Sequence, residues 1–239
     1  MPIYDPRSAE VYDLLHRNHS YDREVDYVRA VVAREMPQAR SLLDIACGTG
    51  NHLGLLAPHF EVQGLDLSPG MLARARAKLP QLRFHEASMA DFHLGQRFDV
   101  VTCLFRSIAA VSSLEALQAS LRCIAAHLNP GGVVVVEPFF TPRTFWDQDL
   151  RVSQVEADGM KVVWMYRSER RGSVGVFHNH YLIGRPQGIE HVHEAHDLGL
   201  FEPEEIVHAF QAAGLSVRHD AQGMGPLGCY VGRAPLSAR

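Results

Sequence analysis

Apolar residues recur at helical spacing between residues 9 and 34, with Val11, Leu14 and Leu15 on one stripe and Val25, Val28, Val31 and Val32 on a second. The stretch from Asn18 to Tyr21 breaks the period, so two helices are expected ahead of the first strand. From residue 41 the pattern becomes short apolar runs of strand length, at 41–46, 61–66, 82–86, 98–103 and 132–137, with helical stretches near 51–57, 70–78 and 113–127 between them. Strands that alternate with helices specify an α/β fold built on a doubly wound, mainly parallel sheet. Beyond residue 150 the pattern changes again. Residues 152–169, 174–183 and 188–197 read as successive antiparallel strands, followed by a helix at 203–213 and two terminal strands around Val217 and Tyr230. The 239 residues therefore read as a single domain, in which residues 1–40 form a helical lid and residues 150–200 an antiparallel β insertion before the last helix. No repeat, low-complexity tract or linker marks a boundary inside it.

At 46% hydrophobic residues the chain has ample material for one core. A formal charge of -4, with lysine and arginine scattered rather than clustered, argues against nucleic acid as a partner. There is no signal peptide, apolar run of spanning length or lipidation motif, so a soluble, cytoplasmic protein with no membrane partner is expected. Cys47, Cys103, Cys123 and Cys229 lie far apart, without a Cys-x-x-Cys pair, and read as reduced packing residues.

Candidate chemistry starts at Leu42-Leu43-Asp44-Ile45-Ala46-Cys47-Gly48-Thr49-Gly50-Asn51, an apolar strand that delivers a glycine turn to the start of a helix. Gly48 and Gly50 allow positive φ and close approach of the backbone to a ligand, and the helix start favours a negative group. Gly50 is followed by Asn51-His52-Leu53 before Gly54, which is not the spacing of the dinucleotide fingerprint. Asp44 at the strand end would repel a diphosphate and attract an ammonium. A second strand ends in Asp66, placed to accept hydrogen bonds from both hydroxyls of a ribose. An amino acid joined to a nucleoside is S-adenosylmethionine.

These residues resemble the class I S-adenosylmethionine-dependent methyltransferases. The likeness continues through Leu65-Asp66-Leu67-Ser68-Pro69-Gly70-Met71-Leu72, Phe98-Asp99-Val100-Val101, and Leu128-Asn129-Pro130-Gly131-Gly132 running into Val133-Val134-Val135-Val136-Glu137. It implies a Rossmann-like methyltransferase sheet of seven strands. Over nearly the whole length the chain is similar to the dTDP-amino-sugar N,N-dimethyltransferases of macrolide pathways, through Val11-Tyr12-Asp13-Leu14, Ala46 to Gly50, 131–138, Thr141-Pro142 with Thr144-Phe145, and 210–215. The resemblance implies cofactor contacts from Gly48, Gly50, Asp66, Met71, Ser88 and Met89. With the neighbouring positions, the expected cofactor site also takes in Asp44, Ala46, Asn51, Leu67 and Leu104. Three positions depart from the family pattern. Ser88 stands where an Asp is common, Arg106-Ser107-Ile108-Ala109-Ala110 lacks the aromatic residue near the substrate amine, and Met224-Gly225-Pro226-Leu227-Gly228 lacks an Arg suited to a phosphate.

Methyl transfer needs an aligned, neutral nucleophile and little else from the protein. Tyr12 and His16 in the helical lid, and Arg106 and Glu137 at the carboxyl ends of two strands, are the catalytic candidates, with His16 or Glu137 removing a proton. Tyr12 also fits a packing role, His16 a surface position, and Arg106 a simple ion pair with Glu137. Tyr21, Phe139, Phe140 and Trp146 are candidate acceptor contacts that would serve equally as core. Of fourteen histidines, His178, His180, His191 and His193 fall on adjacent strands. A turn at Arg185-Pro186 pairs His178 with His193 and His180 with His191, all on one face, with Glu194 on the other. Such a row would hold a divalent ion or, with His178, His180 and His191, line the acceptor pocket; no metal is assigned. The leading expectation is methylation of the amine of an amino sugar or a similar small molecule. O- or C-methylation, an NAD-dependent oxidoreductase and a noncatalytic cofactor-binding subunit are the alternatives, and a homodimer is left open.

Overall fold

The computed structural model describes residues 4–157 and 159–236. The apolar runs form β1 (Ser41–Ile45), β2 (Glu61–Asp66), β3 (Arg83–Glu86), β4 (Phe98–Cys103) and β5 (Leu128–Val136), paired in parallel. With β10 (Ser216–Asp220) and the antiparallel β11 (Cys229–Arg233) they make a seven-stranded sheet of order β10-β11-β5-β4-β1-β2-β3. The chain leaves β1 toward one edge and returns at β4 on its other side. Ligands of open α/β sheets bind beyond the carboxyl ends of strands at such a reversal.

Helices α3 (Asn51–Leu56), α4 (Pro69–Lys78), α5 (Leu114–Ala126) and α6 (Pro203–Ala212) flank the sheet. Their starts are chemically marked. Ser68 and Ser113 cap α4 and α5 through hydrogen bonds from Met71 N and Ala116 N, and Pro69 and Pro203 occupy first helical positions. Leu117, Leu121 and Ile124 form the buried stripe of α5 against the sheet.

The two N-terminal helices have different jobs. In α2 (Tyr21–Glu35), Val25, Val28, Val31 and Val32 are buried with Leu42, Leu53, Leu72, Val100 and Val133. Each such valine contributes about 1.5 kcal/mol or more, so α2 is a layer of the core. Of residues 1–40, expected as a helical lid, the other helix is α1 (Pro6–Leu15), and residues 1–3 lie outside the described residues. Val11 of α1 packs on Val162, Tyr181, Ile183 and Val192 of a second sheet, while Ala9 approaches Gly70 at the start of α4.

That second sheet is four-stranded and antiparallel, β6 (Leu150–Ala157), β7 (Met160–Arg171), β8 (Val174–Arg185) and β9 (Gly188–Gly199) in chain order. The single strand expected over 152–169 is thus two. Asp158-Gly159 is a hairpin-turn dipeptide within it, although Asp158 itself lies outside the described residues. The β8–β9 register also differs from expectation: His180 pairs with His193, Leu182 with His191 and His178 with Ala195. Arg185 pairs with Gly188, so Pro186 takes the first loop position, the place for which its fixed φ is suited, rather than the second. A shift of two residues keeps every side chain on its face. One face carries Phe177, Asn179 and Tyr181 against the rest of the protein. The other bears His178, His180, His191 and His193 beside exposed Val152, Met165 and Leu182. Among the described residues no helix is long and apolar enough to cross a membrane.

Candidate active site

The glycine turn after β1 runs through left-handed backbone at Ala46 (φ 54°), Gly48 (φ 55°) and Gly50 (φ 79°), the last capping α3. Asp66, ending β2, holds this turn: Oδ2 accepts from Gly48 N and Oδ1 from Ser68 N, each at 2.8 Å. Burial raises its pKa, and the backbone donors act against that shift. Asp44 is 1% exposed, and its Oδ1 accepts from Thr102 Oγ1 at 2.7 Å. Burial pushes its carboxyl up to about 6. A buried acid with one neutral donor is poorly compensated, and a cation beside it would restore the balance.

Over the carboxyl ends of the strands lies a cavity of about 540 Å³. Ala46, Gly48, Asp66, Leu67, Met71, Ser88 and Met89 line one half, and Tyr12, His16, Arg106, Glu137 and Phe139 the other. Asp44, Asn51, Leu104 and Tyr21 border a small adjoining recess that shares Ala46 and Gly48 with the main cavity. Gly50 lines neither. An added Cβ there would sit 3.1 Å from Leu79, so its place is behind the turn.

Two further expectations are corrected. Phe140 and Trp146 do not line the cavity; they pack edge to face at 4.2 Å, under the guanidinium groups of Arg106 and Arg151 respectively. The rings of His178, His180 and His191 lie on the outer face of the four-stranded sheet, away from the cavity, because side chains one residue apart on a strand point oppositely and Phe177, Asn179 and Tyr181 take the inner face. Their row is a stack, with His180 4.4 Å from His193 and 5.3 Å from His191, and among the described residues no group is arranged to hold a metal.

After β4 the chain passes through two consecutive left-handed non-glycine residues, Phe105 (φ 53°) and Arg106 (φ 60°), each costing about 1 kcal/mol or more. Glu137, at the end of β5, secures them, accepting from Arg106 N at 3.3 Å and lying 3.4 Å from Arg106 Nε. Burial raises the Glu137 pKa. The result aims the Phe105 ring at His16, His19 and Tyr21 of the N-terminal segment.

His16 Nδ1 lies 2.9 Å from the Tyr12 carbonyl. A carbonyl only accepts, so Nδ1 bears the hydrogen and Nε2 keeps a free lone pair. Burial holds this imidazole below its ordinary pKa, hence neutral at pH 7. Asp13, beside Tyr12, accepts from Thr49 Oγ1 (2.5 Å), Asn51 Nδ2 (3.0 Å) and Lys78 Nζ (2.8 Å), which latches α1 to the glycine turn.

Sequence reasoning missed several cavity residues: Tyr4, His19, Glu24, Phe105, Trp164, Asn179, Tyr181 and His196. Glu24 had a signal, because it continues the Val28 and Val31-Val32 stripe of α2 at i−4, and an acid on an apolar stripe is seldom idle. The strand residues had none, since period-2 alternation does not say which face looks inward.

Residues 42–132 match the family model described as a methyltransferase domain. The chain is 43% identical to the dTDP-3-amino-3,6-dideoxy-alpha-D-glucopyranose N,N-dimethyltransferase of Streptomyces fradiae, over 96% of this chain and 91% of that protein. The chain belongs to the amino-sugar N,N-dimethyltransferase family, and S-adenosylmethionine is its methyl donor. Two solved structures of sugar N-methyltransferases superpose closely. KedS8 from Streptoalloteichus gives a TM-score of 0.88 at 41% identity, covering 94% of this chain and 93% of its own. CalS10, the SAM-bound amino pentose methyltransferase from Micromonospora echinaspora, gives 0.82 at 35% identity, covering 98% of each.

The residues present fit that donor. Asp44 would offer its ammonium a buried, undercompensated carboxylate, Gly48 a turn with no side chain to block close approach, and Asp66, beyond its bonds to Gly48 N and Ser68 N, unused lone pairs for its ribose. Leu67, Met71 and Met89 supply apolar surface for the adenine. Asp44 would then trade stability for affinity. Its folded pKa lies above the unfolded value, so stability present below pH 4 is lost as pH rises through about 6, costing about 3 kcal/mol at neutral pH. Asp44→Asn, which still accepts from Thr102, should raise the melting temperature of the cofactor-free methyltransferase at pH 8 but hardly at pH 4.5. Calorimetry should show binding weakened about 10- to 100-fold, as a charge-assisted hydrogen bond is lost. A variant with unchanged affinity would move the ammonium elsewhere.

Proposed function

We propose that the enzyme methylates the amine of an amino sugar carried on a phosphate-bearing group. The observation that carries this reading is the second half of the cavity, where Asn179, His196, Arg106 and Glu137 stand among the aromatic rings of Phe139, Trp164 and Phe177. Sugars present both apolar C–H faces and hydroxyls, so they suit a wall that alternates rings with polar groups. Asn179 is pre-set, its Oδ1 accepting from Trp164 Nε1 at 3.0 Å and its Nδ2 donating to the Phe177 carbonyl at 3.3 Å, which leaves one amide hydrogen to meet a hydroxyl. Relatives that methylate dTDP-linked amino sugars over nearly the same length support the same class.

Bound S-adenosylmethionine supplies an activated methyl group. The protein supplies a dry chamber, in which α1 and the four-stranded sheet roof the acceptor. The free Nε2 of His16 accepts a hydrogen bond from an N–H of the neutral amine, which turns the amine's one lone pair toward the cofactor half of the cavity. Tyr12, whose ring lies 4.3 Å from that of His16, keeps the imidazole in place.

Arg106 is the arginine of the wall among the described residues, and lysine is absent from it. Glu137 lies 3.4 Å from its Nε, and the terminal nitrogens of the guanidinium suit an anion that arrives with the acceptor. Arg106→Ala should raise the KM for nucleotide-linked amino sugars at least tenfold, while leaving that for the free amino sugar within about twofold. Equal effects on both would remove the phosphate from the reading. The decisive experiment is mass spectrometry of a panel of dTDP-amino sugars, free amino sugars and other small amines after incubation with labelled S-adenosylmethionine. Methylation confined to hydroxyl or carbon acceptors would overturn the amine assignment.

A further inference from the structure

Amine methylation produces acid. A protonated amine and a methylsulfonium become a methylated ammonium, a thioether and one proton, so every transfer leaves a proton in a chamber roofed by α1. Two methylations leave two. Where α1 joins α2, titratable side chains serve both the chamber and the outside. His19, between α1 and α2, and Glu24, in the first turn of α2, line the chamber and also an outer groove of about 510 Å³ between α2 and residues 222–225.

The pair is well built for carrying a proton. Glu24 Oε1 lies 2.7 Å from His19 Nε2, and Oε2 lies 2.5 Å from Nε2 of the buried His52 on α3. Because a carboxylate accepts, Nε2 of a neutral His19 bears the hydrogen and Nδ1 is the free nitrogen. Despite its burial, Glu24 is held ionised by its two imidazole partners, its pKa brought down to about 2. The ring of His19 stands edge-on to Phe105 at 4.7 Å, at the strained turn after β4. The other titratable groups around it are Tyr21 at 4.6 Å, His16 at the end of α1, His52 through Glu24, and Glu137, which feels the Glu24 charge. Arg23 lies on the groove side.

We propose that His19, held by Glu24, is the proton outlet of the chamber. Nδ1 of the neutral ring takes a proton from the acceptor ammonium, directly or across one water, and an imidazolium forms beside the Glu24 carboxylate. The nitrogen lone pair set free makes the new N–C bond as the methyl–sulfur bond breaks and leaves its pair on the thioether sulfur, and the imidazolium then gives its proton to water in the groove, which restores the starting state of the ring. His16 orients the amine and His19 clears the proton. The proposal rests on the amine-acceptor reading.

The test compares the wild type with His19→Gln and Glu24→Gln in single turnovers at low buffer concentration from pH 6 to 9. His19→Gln should slow transfer at least tenfold at pH 7, with the deficit shrinking as pH rises and the amine loses its proton unaided. Added imidazole should restore the rate, and S-adenosylmethionine affinity should stay within twofold. Glu24→Gln should show a smaller deficit of the same form. Nitrogen-15 spectra of the cofactor-free protein should show the neutral form of His19 with its hydrogen on Nε2. A His19→Gln enzyme with the parental rate and pH profile, a deficit that neither pH nor imidazole repairs, or a neutral ring with its hydrogen on Nδ1 would each overturn the outlet. If the wild type methylates a hydroxyl instead, the amine reading fails separately, since that reaction also sheds a proton and the same rescue and tautomer measurements judge the outlet on it.

Discussion

A chain lacking residues 1–17 should stay folded and bind S-adenosylmethionine within about tenfold of the parent, yet lose acceptor turnover by about three orders of magnitude. The contrast follows from what α1 touches. Toward the cofactor it offers Asp13, which bonds to Thr49, Asn51 and Lys78 rather than to the ligand half of the cavity. Toward the acceptor it offers Tyr12 and His16, the ring pair on the cavity wall, and it closes the roof between α4 and the second sheet. Orientation and exclusion of water are therefore lost together. A deletion through residue 34 behaves differently. It removes four buried valines, worth together about 6 kcal/mol or more, which rivals the whole stability of a domain of about 5–15 kcal/mol. That chain should fail to fold. Circular dichroism, calorimetry and labelled-methyl transfer on the two truncations separate these outcomes, and parental turnover by the shorter truncation would deny α1 any part in the reaction.

Asp66→Ala should weaken S-adenosylmethionine binding about 100-fold, at the upper end of the about 1–3 kcal/mol that loss of the ribose bonds alone would give. Asp66 holds Gly48 N and Ser68 N in the ligand-free protein, so removing it loosens the turn before any ligand arrives. Asp66→Asn should do nearly as badly. Each oxygen of Asp66 faces a backbone donor, and an amide must turn its NH₂ toward one of them. Calorimetry on both variants checks this, and an asparagine variant that binds like the parent would mean that the turn stands without the carboxylate.

Much of this was legible in the sequence. Buried parallel strands advertise themselves as apolar runs, and the turn from Asp44 to Asn51 carries its own chemistry in glycine and acid spacing. What stayed hidden depends on neighbours. A helical stripe of valines reads alike whether it covers a ligand or a sheet, and what the stripe of α2 covers shows only in the fold. Alternation on β8 offered two faces and the histidines drew the choice, but the row of rings stands outside and Asn179 inside. The left-handed turn at Phe105 and Arg106 has no glycine to announce it. It exists because Glu137, thirty-one residues away along the chain, holds it.

The latch of Asp13 to Thr49 and Asn51 ties two ligands to one equilibrium. Whatever factor the cofactor adds to the docking of α1, docked α1 must return to the cofactor, because the two affinities close a thermodynamic cycle. Donor occupancy and roof closure are thus reciprocal. A molecule whose roof has lifted is then one that holds the donor less tightly, by the factor that the donor adds to closure.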